Sequence, residues 1–245
     1  MQISGNTILI TGGATGIGLA LAKSFLDLGN DVIICGRRSD RLSDAKEANP
    51  ALHIRVADVS DQDERSNLVV WIAQNFPRLN MLVNNAGVQH LFGFRDGPSG
   101  LDKIDEEIAT NLSAPIHLTT MLLPLLESQS EAAIVNISSG LGFTPLAQMP
   151  VYCATKAALH SLTMSLRYQL RATRVSVFEI IPPLVQSELG ATHRPEEMNR
   201  SAMPPEVAVV DIVAALSNDT FEVAIGEAAN LLSKRDALFP MLNRV

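Results

Sequence analysis

Short apolar, β-branched runs alternate with longer stretches whose apolar residues recur every three or four positions, and this alternation runs the length of the chain. Runs of the first kind read as buried strands, and a 3.6-residue period reads as helices packed on them. The pattern predicts strands at about Thr7–Thr11, Asp31–Cys35, Leu52–Ala57, Leu79–Asn84, Ala132–Ser138, Val175–Ile181 and Glu222–Ile225. Between them it predicts helices near Gly16–Leu28, Asp61–Phe76, Leu101–Leu126, Val151–Leu170 and Pro205–Leu216. Strand and helix in succession imply an α/β fold, a doubly wound parallel sheet flanked by helices. No Pro/Gly/Ser-rich linker or internal repeat divides it, so a single domain spanning residues 1–245 is expected. Gln186–Met203 lacks a clear period and is expected to form a lid between a strand and a helix.

Composition narrows the partners. With 47% hydrophobic and 18% charged residues, the chain has ample material for a core. A formal net charge of −7 gives no general attraction to nucleic acid or an anionic membrane, so a small molecule is the expected partner. The two cysteines, Cys35 and Cys153, fall in regular segments without metal-ligand spacing, and neither a disulfide nor a metal site is expected. The first residues lack the basic and apolar regions of a signal peptide, and no apolar run approaches membrane-spanning length, so the expected location is the cytoplasm.

The first strand runs into Thr11-Gly12-Gly13-Ala14-Thr15-Gly16-Ile17-Gly18 and then an amphipathic helix. Glycines let the backbone turn tightly and approach a pyrophosphate, which the N–H groups and dipole of the following helix stabilise. Gly12, Ala14, Thr15, Gly16, Ile17 and Gly18 are therefore candidate cofactor contacts. After the second strand, where an acidic residue would hold an adenosine ribose, the chain reads Cys35-Gly36-Arg37-Arg38. Guanidinium groups suit a 2′-phosphate, so NADP(H) is favoured and NAD(H) remains possible. One of Arg37 and Arg38 is expected only to solvate the loop, and the sequence leaves open which.

The glycine turn, Asn84-Asn85-Ala86-Gly87 after the fourth strand, Ser139, and Tyr152-x-x-x-Lys156 together resemble the short-chain dehydrogenase/reductase family from end to end. Ser138-Ser139-Gly140-Leu141, the stretch around Tyr152 and Ile180-Ile181-Pro182-Pro183 look most like a bacterial subgroup named after genes for teichoic-acid D-alanylation. The resemblance implies a Rossmann-type sheet and an oxidoreductase moving hydride between nicotinamide and a carbonyl or alcohol. It further implies that Asp58 and Val59 contact the adenine, that Asn85, Ala86 and Gly87 lie along the cofactor, and that the Val185 backbone meets the nicotinamide amide. Pro182-Pro183 stands where the family has Pro-Gly, and Ser187 where it has Thr, which alters the local cofactor contacts.

Hydride transfer to a carbonyl needs a proton donor, and a tyrosine of pKa about 10 is too weak unaided. Tyr152 and Lys156 lie one helical turn apart, so the ammonium can favour the phenolate. Tyr152 is the expected acid/base. By resemblance, Lys156 also binds the nicotinamide ribose and Ser139 donates to the substrate oxygen, with Ser138 structural. Resemblance and geometry both make Asn111 the fourth member: Pro115 lacks the N–H that would bond its carbonyl, and the freed group would hold a water in the proton-relay role the family's asparagine plays, the alternative being a plain proline kink. Gln89, His90, Leu91, Phe92, Leu141, Phe143, Met149 and Leu184 are expected to flank an apolar substrate end, and His90 carries no catalytic role. The resemblance implies a homodimer or homotetramer. The alternative from another class is an NADP(H)-binding sensor or scaffold without turnover, which typically would have lost the tyrosine, lysine or serine.

Overall fold

A computed structural model describes residues 1–95, 97–190 and 196–243, apart from the side chain of Asn199. Its elements follow the order β1 (Thr7–Thr11), α1 (Gly16–Asp27), β2 (Asp31–Gly36), α2 (Ser39–Ala48), β3 (His53–Val56), α3 (Gln62–Asn75) and β4 (Leu79–Asn84). Then come α4 (Leu101–Ile108), a π turn (Ala109–Ser113), α5 (Ala114–Glu127), β5 (Ala132–Ile137), a 3-10 turn (Gly140–Gly142), α6 (Pro150–Leu170) and β6 (Val175–Ile181). The last are α7 (Glu196–Ser201), α8 (Pro205–Ser217), β7 (Glu222–Ala224), α9 (Ala228–Lys234), a 3-10 turn (Arg235–Leu238) and α10 (Phe239–Asn243).

The seven strands form one parallel sheet in the order β3-β2-β1-β4-β5-β6-β7. Side chains alternate across each strand. Ile8, Ile10, Val32 and Ile34 therefore pack with Leu21, Phe25, Ile212 and Leu216 from α1 and α8. Leu9, Ile33, Leu82 and Ile134 face the other way, against Leu68 and Ile72 of α3 and Leu118 and Leu122 of α5. Both faces of the central strands are thus buried, which is why those strands read as continuous apolar runs. The sheet order reverses direction between β1 and β4, and a crevice outside the carboxyl ends of the strands at such a switch point is where α/β sheets bind ligands.

Three expectations need correction. The stretch Leu101–Leu126 is not one α-helix, because the ladder widens at the π turn, where the Ala114 N–H bonds Ala109 O five residues back. Pro115, with no N–H to give, sits at the start of α5, and the interruption falls on the turn carrying Asn111. Helix α2 was not anticipated, since only Leu42 and Ala45 of its residues are buried and it has almost no apolar stripe to read. The helices after β7 were also missed; their short, weakly periodic segments form by packing on the turn after Ser139, where the Thr144 hydroxyl lies 3.0 Å from both Leu231 O and Arg235 O and shares its one proton between them.

The expected lid, 186–203, is described only at its two ends and in α7, and its residues 191–195 lie outside the described residues. Its ends are stapled together: Gln186 N–H donates to Met203 O at 2.9 Å and Met203 N–H to Leu184 O at 2.9 Å. Among the described residues, no helix is long and apolar enough to cross a membrane.

Candidate active site

The end expected to hold the cofactor is built by contact between motifs far apart in sequence. Thr11 Oγ1 accepts from Asn85 N and Ala86 N, each at 3.0 Å, tying the turn after β1 to the turn after β4. Asn85 Nδ2 donates to Thr11 O at 2.9 Å and Gly12 O at 3.1 Å, so its amide shapes the glycine turn. At Gly12, φ is +64° and a Cβ would lie 2.9 Å from Ala86 Cα; at Gly18 it would lie 2.6 Å from Asn85 Nδ2. At Gly16, φ is +54° and a Cβ would come within 3.0 Å of Ser187 Cβ. A cradle that side chains would fill, opening onto the N-terminus of α1, fits the pyrophosphate of a dinucleotide.

Beyond the cradle, Asp58 Oδ1 accepts from Ser60 N and Oγ, and Val59 is buried with its carbonyl taking a 2.6 Å bond from Arg65 Nη1. Arg37 reaches Glu106 of α4 at 2.5 Å and Asp58 at 3.9 Å. Arg38 pairs with Glu188 and bonds Thr15 Oγ1 at 3.4 Å. Arg41, which the sequence reading missed, reaches the same Glu188 at 2.9 Å. Its signal was the three-residue spacing from Arg38, legible only once α2 is known to be a helix.

The residues expected to carry the chemistry lie where β4, β5, α6 and the π turn meet. Lys156 and Tyr152 are both buried, and the ammonium lies 5.8 Å from the centre of the tyrosine ring. Lys156 Nζ donates to Ile137 O at 2.8 Å. Burial pushes its pKa down to about 8, against an upward pull from the negative charge of Glu179. Asn111 Oδ1 accepts from Val88 N at 2.9 Å, while its Nδ2 donates to Val88 O at 2.9 Å and Thr155 Oγ1 at 3.2 Å. A Cβ on Gly87 would lie 3.4 Å from Asn111 Oδ1 and 3.9 Å from Lys156 Nζ, so these three residues converge.

Ser139 stands at the start of the 3-10 turn, its Oγ accepting from Leu141 N at 3.2 Å. Gly142 lets that turn lie on α6, since a Cβ there would be 3.0 Å from Lys156 C and Ala157 N. Ser138 points elsewhere, donating to Glu179 at 2.7 Å. Pro182 O accepts from Gly140 N at 3.4 Å, and Val185 pairs with Met203 in an isolated parallel bridge.

At the substrate end, Leu91 and Leu184 are exposed, and Phe92 N donates to Gln148 O at 3.0 Å. Phe143 departs from expectation: it is buried with Ile181 and Ala228 instead of flanking an opening, because α9 covers it. His90 is held by Glu106 at 3.0 Å, and its backbone N–H by buried Glu107 at 2.5 Å.

The sequence profile described as short chain dehydrogenase matches residues 6–198, a span that takes in the glycine turn, Asn111, Ser139, Tyr152 and Lys156. The chain belongs to the short-chain dehydrogenase family. It is therefore an oxidoreductase of the NAD(P)-dependent short-chain dehydrogenase/reductase class. It is 50% identical over 197 residues to the uncharacterized oxidoreductase DltE of Bacillus subtilis, covering 80% of this chain and 78% of that protein. Solved members with the same fold include a short chain dehydrogenase from Burkholderia cenocepacia in complex with NADP, with TM-score 0.82 and 24% identity over 96% of this chain and 94% of that one. Another is a short chain dehydrogenase/reductase from Burkholderia phymatum in complex with NAD, with TM-score 0.84 and 21% identity over 94% and 93% of the two chains.

Proposed function

We propose that the protein is an NADP(H)-dependent reductase of a largely apolar ketone or aldehyde, using Asn111, Ser139, Tyr152 and Lys156. The observation that carries this reading is the buried Lys156 ammonium, set beside the Tyr152 ring and Asn111 Oδ1 at Gly87. Nicotinamide, when bound, supplies or accepts the hydride. Tyr152 gives its phenolic proton to the carbonyl oxygen, and the Lys156 charge stabilises the phenolate left behind. Ser139 Oγ donates to the same oxygen, and a water held at the π turn beside Asn111 returns the proton from solvent. Lys156 also takes the ribose hydroxyls.

The glycine turn, Asn85, Ala86, Gly87, Asp58, Val59, Pro182, Val185 and Ser187 form the cofactor path in this reading. Arg37, Arg38 and Arg41 support NADP(H) over NAD(H): Arg38 and Arg41 share Glu188, and Arg37, the residue before Arg38, reaches Glu106 and Asp58. A 2′-phosphate would replace Glu188 and Glu106 as their partners, with more charge and more acceptor oxygens. The same reading makes the chain a homodimer or homotetramer through the outer faces of α5 and α6, where Ile116, Met164 and Tyr168 are exposed. A single-chain mass by sedimentation would contradict that assembly.

Absorbance of NADPH with a panel of ketones and aldehydes tests the activity. Tyr152→Phe preserves the ring but removes the transferable proton, so kcat should fall by about 10²–10⁴-fold with NADPH affinity little changed. Near-normal kcat with hydride transfer rate-limiting would overturn the assignment. Cofactor binding without turnover across the panel would favour a sensor instead.

A further inference from the structure

Glu179 sits on β6 in the interior of the sheet, fully buried, with apolar neighbours before and after it in the strand. An ionised carboxylate there is strongly unfavourable unless donors and charges surround it. Ser138 Oγ donates to Oε1 at 2.7 Å, and His160 Nδ1 lies 2.8 Å from Oε2. An aliphatic residue would satisfy the strand without any such network, so the carboxylate calls for a reason beyond the fold.

Its partners supply that reason. Ser138 lies between Ile137, whose carbonyl takes the Lys156 hydrogen bond, and Ser139. His160 is one turn beyond Lys156 on α6, and its ring meets Phe143, from the turn after Ser139, edge-on at 4.7 Å. One carboxylate therefore joins the strand end and the helix that carry Ser139, Tyr152 and Lys156.

We propose that Glu179 is a positioning residue for the catalytic group: its negative charge keeps Lys156 protonated from behind, and its bonds to Ser138 and His160 lock β5 to α6. The proposal rests on reading Lys156 as the cation that serves Tyr152. Burial works against that cation, and the Glu179 charge is the influence that opposes it. The titratable groups around Lys156 are Tyr152, Cys153 and His160 on its own helix, Glu179 on β6 and, on α4, Glu107, which is bonded to the His90 backbone. β5, the π turn and the 3-10 turn after Ser139 contribute no ionisable side chain. On β7, Glu222 is the register partner of Glu179; with His160 the two place their polar side-chain atoms within 4.8 Å of one another. Glu222 is exposed, so water screens its charge, whereas Glu179 acts through the protein interior.

The test reads Lys156 directly, by the pH titration of its Cε resonance in protein made with 13C-labelled lysine and assigned by loss of the peak in Lys156→Arg. The parent midpoint is expected near about 8. Glu179→Gln keeps the shape and removes the charge, and the midpoint should drop by about one unit, the size of effect a nearby opposite charge exerts. Glu179→Asp should return it toward the parent value. Should the single variant not fold, Glu179→Gln with His160→Gln removes both members of the pair together, a change buried ion pairs often tolerate, and the same drop is expected. An unchanged midpoint in either folded variant overturns the proposal. In carbonyl reduction the alkaline limb of the kcat profile should move to lower pH with the midpoint. A midpoint that drops in a protein reducing no carbonyl would support the coupling and refute the proposed reaction, so the two failures are separable.

Discussion

At the scale of single residues, the proposed NADP(H) preference turns on competition between carboxylates and phosphate for the same guanidiniums. Glu188 pairs with both Arg38 and Arg41, and Glu106 with Arg37. These pairs are exposed, where ion pairs contribute only about 0–1 kcal/mol, so a dianionic phosphate displaces them readily. Replacing Arg37 and Arg38 with alanine should raise the NADPH dissociation constant far more than that of NADH. Glu188→Gln should tighten NADPH selectively, because it removes the competing charge and leaves the arginines in place. Fluorescence titration with both cofactors measures this, and equal affinities in the unaltered protein would defeat the NADP(H) preference. The arginines next to β2 were legible from sequence because they sit at a known interval after a strand; their carboxylate partners lie 69 and 150 residues away and were not.

At the scale of elements, the proposed reacting groups are placed by how the turn after β5 rests on α6. Gly142 presses that turn against the backbone at Lys156 and Ala157, and neither side can retreat because both are main chain. Gly142→Ala should therefore cost about 1–3 kcal/mol in stability, the usual penalty for overpacking. It should also lower kcat by displacing Ser139 relative to Tyr152, with a smaller loss of NADPH affinity, since the proposed glycine turn and arginine contacts lie elsewhere. Denaturant unfolding and steady-state kinetics on the same preparation check both halves; an unaltered kcat would mean that Ser139 is not held by this contact. Pro115 marked in the sequence a missing hydrogen bond to the Asn111 carbonyl, within a stretch expected to be one helix over Leu101–Leu126. The form of the interruption, a π turn with the Asn111 amide engaged by the Val88 backbone, required the neighbouring loop.

At the scale of the whole molecule, a buried ammonium is a cost borne by the entire fold. Lys156 loses its proton near about 8 in the folded protein, below the ordinary lysine value of about 10.4, chiefly because burial disfavours the charge. Between those values the unfolded chain holds a proton that the folded chain lacks, so stability from this group rises with pH across that window, and its full cost is present below about 8. Lys156→Met removes the cost and leaves one carbonyl, Ile137 O, without this donor. The variant should melt at least about 2–4 °C above the parent at neutral pH, the equivalent of 1 kcal/mol for a chain of this size. That advantage should shrink by pH 10, and carbonyl reduction should be lost. Calorimetry at the two pH values decides it, and an equal or lower melting temperature at pH 7 would contradict the account.

The sequence by itself determined the βα succession, the glycine turn and the Tyr152–Lys156 spacing, because each depends on neighbours within a turn or a strand. Alternating Ile8, Leu9 and Ile10 declares a strand buried on both faces, and Gly12 through Gly18 declares a turn where side chains do not fit. Only the tertiary structure decided that Asn85 spends its amide on the glycine turn, that Phe143 is covered by α9, and that buried Glu179 meets Ser138 and His160. These are encounters between residues separated by tens of positions. Local periodicity carries no information about which distant polar group will share a buried space, whereas burial in the folded chain forces each such group to find a partner.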